Sequence, residues 1–338
     1  MFDPANDAAA NTMKLSAKGP LERLCLATAA RRASRRRGPV SSPAARLNPP
    51  ASIEGDPMLS CRFPLLAAMT ALLASTVAAP AQTKPTTVTI ATEGAYEPWN
   101  FTAADGTLQG FEVDLAADLC KRMEVTCTVV AQDWDGLIPS LNAHKFDAIM
   151  ASMIVTDKRK QAISFSEPYA PTAAAFMVEK GGALAGLPGT GTSVDLAADP
   201  AKVESELKPL RAALEGKSIG AQSSTANVAF LEKYLKGAVE VREYKTVEQH
   251  NLDLAAGRID GVVAQKTSLD AMLGKPDFAG YEIAGPTFEG DVFGQGIAVG
   301  LRRDDAALKA EFDKAITAAK ADGTIDKLSD KWFKATAK

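Results

Sequence analysis

The chain has 338 residues, of which 46% are hydrophobic and 23% are charged, a composition typical of globular proteins and long enough for about two domains. It carries 38 Lys and Arg against 41 Asp and Glu, and only 6% of its residues are aromatic. This balance does not suit a polyanion, so we expect no nucleic-acid partner. Two histidines in the whole chain argue against Cys/His metal chemistry, and we expect neither a metal nor a cofactor.

A leader precedes the part of the chain that has a folding pattern. Residues 58–81 read MLSCRFPLLAAMTALLASTVAAPA, in which Arg62 precedes a mainly apolar run, Phe63–Val77, and small residues follow. This pattern is typical of a secretory signal peptide, and we expect cleavage after Ala81. A membrane anchor is the alternative, but the run is shorter than the roughly twenty residues that a spanning helix needs. Residues 1–57 have no helical or strand period, and we expect them to be disordered or a mis-assigned extension.

Removing the leader changes both charge and cysteine content. Residues 1–81 hold ten basic and five acidic residues, which leaves 28 Lys and Arg against 36 Asp and Glu, a net charge of −8. Cys25 and Cys61 leave with the leader, so Cys120 and Cys127 remain. In an exported protein, two cysteines seven residues apart favour a disulfide, here between the end of a helix and the next strand. Two free thiols are the alternative.

Strand and helix patterns alternate along the rest of the chain, which predicts an α/β architecture. In the first half we expect strands at 87–92, 127–131 and 146–150, and helices at 111–123 and 136–144. Residues 181–200 are rich in Gly, Ala, Pro and Thr, and predict a loop or insertion. A second series follows, with strands at 217–222, 238–244, 259–264 and 296–301 and helices at 225–234, 247–256, 267–273, 304–321 and 324–333. The two series predict two lobes.

Several stretches of this pattern resemble the amino-acid-binding branch of the periplasmic solute-binding proteins. They are GFEVDLAADLC, WDGLIPSL, FDAIM, TDKR and FSEPY, followed by LDLAAGRIDGVVA, GIAVGLRRDD and DGTIDKLSDKWF. Within that family, the chain is similar to the lysine/arginine/ornithine and opine (octopine, nopaline) receptors. The stretches ATEGAYEPWNF and VEQHNLDL and the extra segment before the second lobe favour the opine subgroup. The resemblance covers essentially all of the chain after residue 81.

The resemblance implies a two-lobed periplasmic binding protein fold of type II, α/β in both lobes, with two crossover hinge strands. We expect the crossovers near 173–178 and 285–294, lobe 1 at 82–175 plus 286–338, and lobe 2 at 176–285. It also implies a monomer in the periplasm that traps an amino acid or opine by lobe closure and passes it to the inner-membrane permease of an ABC transporter.

The resemblance also suggests partners for each part of an amino-acid ligand, since buried unpaired charges are costly. Arg159 matches the arginine whose forked guanidinium takes the α-carboxylate. Glu93 matches an acid that faces the far cationic end of basic ligands. Tyr96 and Trp134 match two aromatics that sandwich the ligand. The alternatives are a solvated charge for Arg159 or Glu93 and ordinary core packing for the aromatics.

The remaining candidates are Ser152 and Thr225, which match hydroxyl or backbone donors near the carboxylate. Thr225 starts a helix whose free N–H groups attract anions. Two positions depart from the family pattern. Ile154 stands where many relatives have a small polar residue, and Gln265 stands where amino-acid receptors have an aspartate for the α-ammonium. An amide suits a substituted amine better than a primary ammonium, which favours an opine. His250 could also reach such a ligand, although a surface position on its helix is the alternative.

Two other classes of function are compatible with this fold. An enzyme similar to cyclohexadienyl dehydratase would need an acid or base in the cleft, and Glu93 is the formal candidate. A sensor-type binding module would carry a membrane span and a signalling domain, and no second apolar run occurs before Lys338. We therefore expect a binding protein without catalytic residues.

Overall fold

Two separate β-sheets organise residues 86–334, the part of the chain that the computed structural model describes. The leader expected at 58–81, the segment 1–57, Cys25 and Cys61 lie outside the described residues. Strands are β1 Thr87–Thr92, β2 Ala95–Tyr96, β3 Asn100–Thr102, β4 Leu108–Gln109, β5 Thr126–Ala131, β6 Ala148–Ile149, β7 Ser164–Phe165, β8 Ala174–Glu179, β9 Ser193–Asp195, β10 Lys217–Gln222, β11 Val239–Tyr244, β12 Gly261–Gln265, β13 Tyr281–Glu289 and β14 Gly300–Leu301. Helices are α1 Phe111–Arg122, α2 Leu137–Asn142, α3 Asp157–Lys160, α4 Pro200–Ala213, α5 Ala226–Tyr234, α6 Val247–Ala255, α7 Lys266–Leu273, α8 Ala306–Ala321 and α9 Thr324–Ser329.

The two sheets repeat one arrangement. The first has the order β5-β1-β6-β14-β7 and the second β11-β10-β12-β8-β13-β9. In each, the first three strands are parallel and the fourth is antiparallel to its neighbour. This confirms the prediction of two α/β lobes. A small antiparallel sheet, β2-β3-β4, is added to the first lobe and was not predicted.

The chain crosses between the sheets twice, after β7 and again after β13. The crossing segments, 166–173 and 290–299, pair with each other. Tyr169 N donates to Ile297 O at 2.8 Å, and Ile297 N donates to Ala170 O at 2.8 Å. The two crossovers of the type II fold are therefore present as neighbouring segments. The lobe boundaries expected after residues 175 and 285 stay a prediction.

Helix α1 shows how the local sequence builds the first lobe. Phe111, Leu115 and Leu119 recur at helical spacing, and all three are fully buried. Gly110 precedes the helix with φ of +127°, and a Cβ there would lie 2.4 Å from the carbonyl oxygen of Trp99. Glycine alone fits so close an approach at that backbone angle. The loop before α1 is therefore held against the turn that carries Trp99.

The last elements of the chain pack on helix α1 of the first lobe. Helices α8 and α9 contact α1, and Trp332 Nε1 donates to Asp114 Oδ2 at 2.8 Å. The ring of Phe333 lies 4.7 Å from that of Trp99. Helix α4 is the largest element that the sequence pattern missed. Asp199 caps it by accepting from Ala201 N at 2.9 Å, but Pro209 inside the helix weakens its periodic signal.

The expected disulfide is present. Cys120 in the last turn of α1 and Cys127 in β5 are bonded, with their Cα atoms 6.1 Å apart. The bond ties the helix to the edge strand of the first sheet. Within residues 86–334, no helix is both long enough and apolar enough to cross a bilayer.

Replacing both cysteines by serine should lower the free energy of unfolding by about 2 kcal/mol, because a closed loop this short restricts the unfolded chain only modestly. Urea unfolding of the variant and of wild type should show this loss, and wild type under reducing conditions should match the variant. Labelling of both thiols in native, non-reduced wild type would contradict the disulfide.

Candidate functional site

A cavity lies between the lobes where parallel strands of both sheets end. Glu93, Trp134 and Ser152 follow β1, β5 and β6, while Gln222 and Gln265 end β10 and β12. Ligands of open α/β sheets bind at such carboxyl ends. The cavity encloses about 340 Å³, counting the part open to solvent. Its lining residues are Glu93, Tyr96, Trp134, Ala151, Ser152, Ile154, Arg159, Gln222, Thr225, Ala226, Asn227 and Gln265.

The seven predicted ligand-binding residues all line this one cavity. They come from both lobes and are Glu93, Tyr96, Trp134, Ser152, Arg159, Thr225 and Gln265. Residues up to 172 positions apart in sequence therefore meet in space. Their individual roles towards a ligand stay predictions.

Glu93 is a buried acid on the first-lobe side of the cavity. Gln222 of the second lobe donates from Nε2 to Glu93 Oε1 at 2.6 Å. Burial raises the pKa of Glu93 to about 7, the Gln222 hydrogen bond opposes the shift, and the negative charges of Glu112, Asp133 and Asp135 add to it. Near neutral pH this carboxyl is poised between its neutral and charged forms, and a nearby cation would favour the charged one.

Arg159 lies on the short helix α3, whose first turn is capped by Thr156. Its guanidinium donates to the carbonyl oxygens of Ile154 at 2.9 Å and of Ser224 at 3.3 Å, the latter across the cleft. Among residues 86–334 it takes part in no ion pair. Burial lowers the pKa of Arg159 to about 10, so the group stays charged at neutral pH. Its positive charge at the cavity therefore has no ionic partner in the described part of the chain.

The two predicted aromatics differ in their surroundings. Tyr96 is buried, and burial raises the pKa of its hydroxyl above the usual range. Trp134 is only half-buried, between the exposed Asp133 and Asp135. The guanidinium carbon of Arg159 lies 5.0 Å from the centre of the Trp134 ring, within range of a cation–π contact. Trp134 therefore orients Arg159 as well as lining the cavity.

Ser152 and Gln265 join the two lobes. Ser152 Oγ donates to Gln265 Oε1 at 3.0 Å, and Gln265 Nε2 donates to the Ser152 carbonyl oxygen at 3.3 Å. Ser152 has φ of +49°, a left-handed backbone that residues other than glycine rarely adopt. This conformation needs support from neighbouring groups.

Thr225 directly precedes helix α5, as predicted. Its hydroxyl donates to the carbonyl oxygen of Gln222 at 2.6 Å and makes no capping bond to the helix. The N-terminal residues of α5, Ala226 and Asn227, also line the cavity. Asn227 is buried, and its Oδ1 has no hydrogen-bond partner among the described residues.

Gln222 and Asn227 also line the cavity and were not predicted from the sequence. The position of Gln222 at the end of β10 was a signal for it, because Glu93 lies at the corresponding end of β1, directly after Thr92. Ile154, noted as a departure, does line the cavity, and its carbonyl oxygen holds Arg159. His250 is neither at the cavity nor on the surface. It is fully buried within the second lobe, where burial lowers its pKa to about 3.

Comparison with known proteins agrees with this geometry. The sequence model of one protein family, the bacterial extracellular solute-binding proteins, family 3, matches residues 88–335. An octopine-binding periplasmic protein of Rhizobium meliloti is 48% identical, with 76% of this chain and 94% of the relative covered. The lysine/arginine/ornithine-binding periplasmic protein of Escherichia coli K12 is 36% identical, with 77% and 92% covered.

A solved structure supports the same relationship. It is the structure of a Salmonella typhimurium periplasmic binding protein that has high specificity for arginine. The two chains are 28% identical and superpose with a TM-score of 0.61, and the match covers 74% of this chain and 100% of the other. Fold, cavity position and sequence relatives agree, and this chain belongs to the bacterial extracellular solute-binding proteins of family 3.

Proposed function

We propose that this protein captures a cationic amino acid derivative in the periplasm and hands it, as a monomer, to the permease of an ABC importer. The observation that carries this is the charge arrangement of the cavity, where Glu93 supplies a carboxyl group and Arg159 a positive charge. Such a pair complements a ligand with both a cationic group and a carboxylate. The predicted leader, 58–81, would supply the export signal.

Arg159 supports the binding of a carboxylate. The carbonyl oxygen of Ile154 and the ring of Trp134 hold its guanidinium at the cavity. The guanidinium lacks an anionic partner in the described part of the chain. A guanidinium can hold both oxygens of a carboxylate by parallel hydrogen bonds. A carboxylate ligand would therefore gain a fixed partner at little cost in side-chain ordering.

Gln265 favours an opine over a free amino acid. A primary α-ammonium in a closed cleft needs a negative charge, and Gln265 offers only an amide that is already bonded to Ser152. An opine carries a second carboxylate next to its secondary ammonium, which offsets that positive charge, and an amide can accept from the ammonium and donate to the carboxylate. The octopine-binding relative is consistent with this choice.

A role in ligand binding, without a catalysed reaction, explains the presence of Glu93 in the cavity. A carboxyl with a pKa near 7 could serve as a general acid or base. A ligand cation beside it explains the residue without a reaction, and we propose that the protein is not an enzyme. Mass spectrometry after long incubation should recover octopine and arginine unchanged, whereas any product would favour the enzyme alternative.

Arg159→Ala should weaken octopine binding by about 2–5 kcal/mol, because the ligand carboxylate would lose its charge partner inside the cleft. Isothermal titration calorimetry measures the change. Lys158→Ala is the matched control, since Lys158 is exposed on the same helix and does not line the cavity. Equal affinities for wild type and Arg159→Ala would refute the assigned role.

Gln265→Asp should move the ratio of octopine to arginine affinity towards arginine by about tenfold or more, equal to about 1.4 kcal/mol. The new carboxylate would attract a primary ammonium and repel the second carboxylate of an opine. Titrating both ligands into wild type and variant gives the ratio, with the exposed Gln109→Asp as control for added charge. Tight arginine binding by wild type with no detectable octopine binding would refute the opine preference alone.

Arginine binding should become tighter as pH rises from about 5.5 to about 7.5, because the ligand cation favours the ionised form of Glu93, whose pKa is raised to about 7. Because the pKa of Glu93 is raised in the folded protein, protonation of Glu93 increases the free energy of unfolding of the ligand-free protein at pH values below its ordinary pKa. This contribution is lost as pH rises through 7. Glu93→Gln should flatten the binding profile, whereas Glu248→Gln, at an exposed site, should not. Profiles of equal slope in wild type and Glu93→Gln would exclude Glu93 as the titrating group.

A further inference from the structure

A carboxylate is buried outside the cavity lining, in the first turn of helix α1. Glu112 is only 1% exposed and accepts hydrogen bonds from Asn100 Nδ2 at 2.6 Å, from Ser152 N at 2.6 Å and from the Tyr169 hydroxyl. All three donors are neutral. A buried acid without a cation is costly, and an apolar residue would fill a helix face at lower cost. The arrangement calls for a role other than packing.

We propose that Glu112 is a positioning residue that ties the two ligand-facing loops of the first lobe to the crossing between the lobes. This inference rests on the proposed function, because it concerns how the same cavity is held ready for its ligand. Each of the three donors leads to a different part of the site.

The first donor supports a strained loop. The Ser152 amide lies in a residue with left-handed φ of +49°, and its bond to Glu112 Oε1 fixes that conformation. The same residue presents its hydroxyl and carbonyl oxygen to Gln265 of the second lobe. Glu112 therefore determines how the first lobe offers these groups across the cleft.

The second donor reaches the loop that carries Glu93. Asn100 is fully buried, with Nδ2 bonded to Glu112 Oε2 and Oδ1 accepting from the Gly94 amide at 2.8 Å. Gly94 is the neighbour of Glu93 in the chain. Through Asn100, the carboxylate of Glu112 holds the backbone next to the cavity acid.

The third donor belongs to a crossing segment. Tyr169 is buried and bonds to Glu112 through its hydroxyl, while its backbone amide donates to Ile297 of the returning segment. A displacement of this crossing segment would therefore alter the hydrogen bonds of Glu112 and, through them, the positions of Ser152 and Gly94. The three bonds converge on one carboxyl group, which links the hinge to both loops.

The test compares Glu112→Gln with wild type in two measurements. Glutamine has one acceptor oxygen and adds two N–H donors, so it cannot serve three donors. In ligand-free protein, hydrogen exchange should rise in peptides that contain Gly94 and Ser152 and stay unchanged in strands β10 and β12. Titration with octopine and with arginine as probes should show affinity about tenfold weaker, the effect of one lost buried hydrogen bond. Asp118→Asn, which removes a partly exposed ion pair with Arg122 on the same helix, should change neither measurement.

A double-mutant cycle separates positioning from general destabilisation. Glycine adopts positive φ freely, so in a Ser152→Gly background Glu112→Gln should cost clearly less affinity than in wild type. If Glu112→Gln fails to fold, Tyr169→Phe removes one of the three bonds and should still raise exchange at Ser152 and weaken binding severalfold. Unchanged exchange, unchanged affinity, or full additivity in the cycle would overturn the proposal.

The same data distinguish this inference from the proposed function. Wild type that binds neither probe contradicts the proposed function, and exchange at Gly94 and Ser152 then decides the role of Glu112 by itself. If wild type and Glu112→Gln bind a probe equally tightly, the positioning role is contradicted and the proposed function is not.

Discussion

Contact between the lobes takes polar side chains of both out of water, and each then needs a partner to offset the lost hydration. Glu93 meets Gln222, and Ser152 exchanges two hydrogen bonds with Gln265. Among the described residues, Arg159 donates to two carbonyl oxygens and lies against the Trp134 ring, so its charge is solvated but not neutralised. The cavity therefore combines hydrogen bonds between the lobes with a positive charge on Arg159, which a carboxylate ligand would neutralise under the proposed function.

Contacts outside the cavity also hold the lobes together. Trp99 Nε1 donates to Thr267 Oγ1 at 3.0 Å, and Lys275 pairs with Glu97 at 2.6 Å. They fix helix α7 of the second lobe against the turn that carries Glu97 and Trp99. The ion pair is partly exposed and contributes little by itself. Under the proposed function, such contacts would reduce the free energy that a ligand must supply to hold the lobes together, because a ligand shifts an equilibrium only by its preference for one state.

Two acids in this protein share a pKa raised to about 7 by burial, but their surroundings differ. Glu93 lines the cavity with one side-chain donor from Gln222, which leaves it able to meet a cation. Glu112 lies outside the lining and is already bonded to three donors, so it has little capacity left for a ligand. The first acid is therefore suited to the proposed recognition of a cation, and the second to the proposed positioning of the loops around the cavity.

The sequence by itself determined the alternation of strands and helices, including β1 and α5, and the pairing of Cys120 with Cys127, because these depend on residues close in the chain. Family resemblance supplied the seven candidate residues, which the fold brings to one cavity. Helix α4, the cavity position of Gln222 and the burial of His250 were not predicted. Pro209 weakens the periodic signal of α4, and the burial of His250 depends on how its helix packs within the second lobe. The cavity position of Gln222 and the bonds between Ser152 and Gln265 depend on contact between the two lobes. Only the tertiary structure decides these contacts between lobes, because they join residues more than a hundred positions apart that local periodicity does not relate.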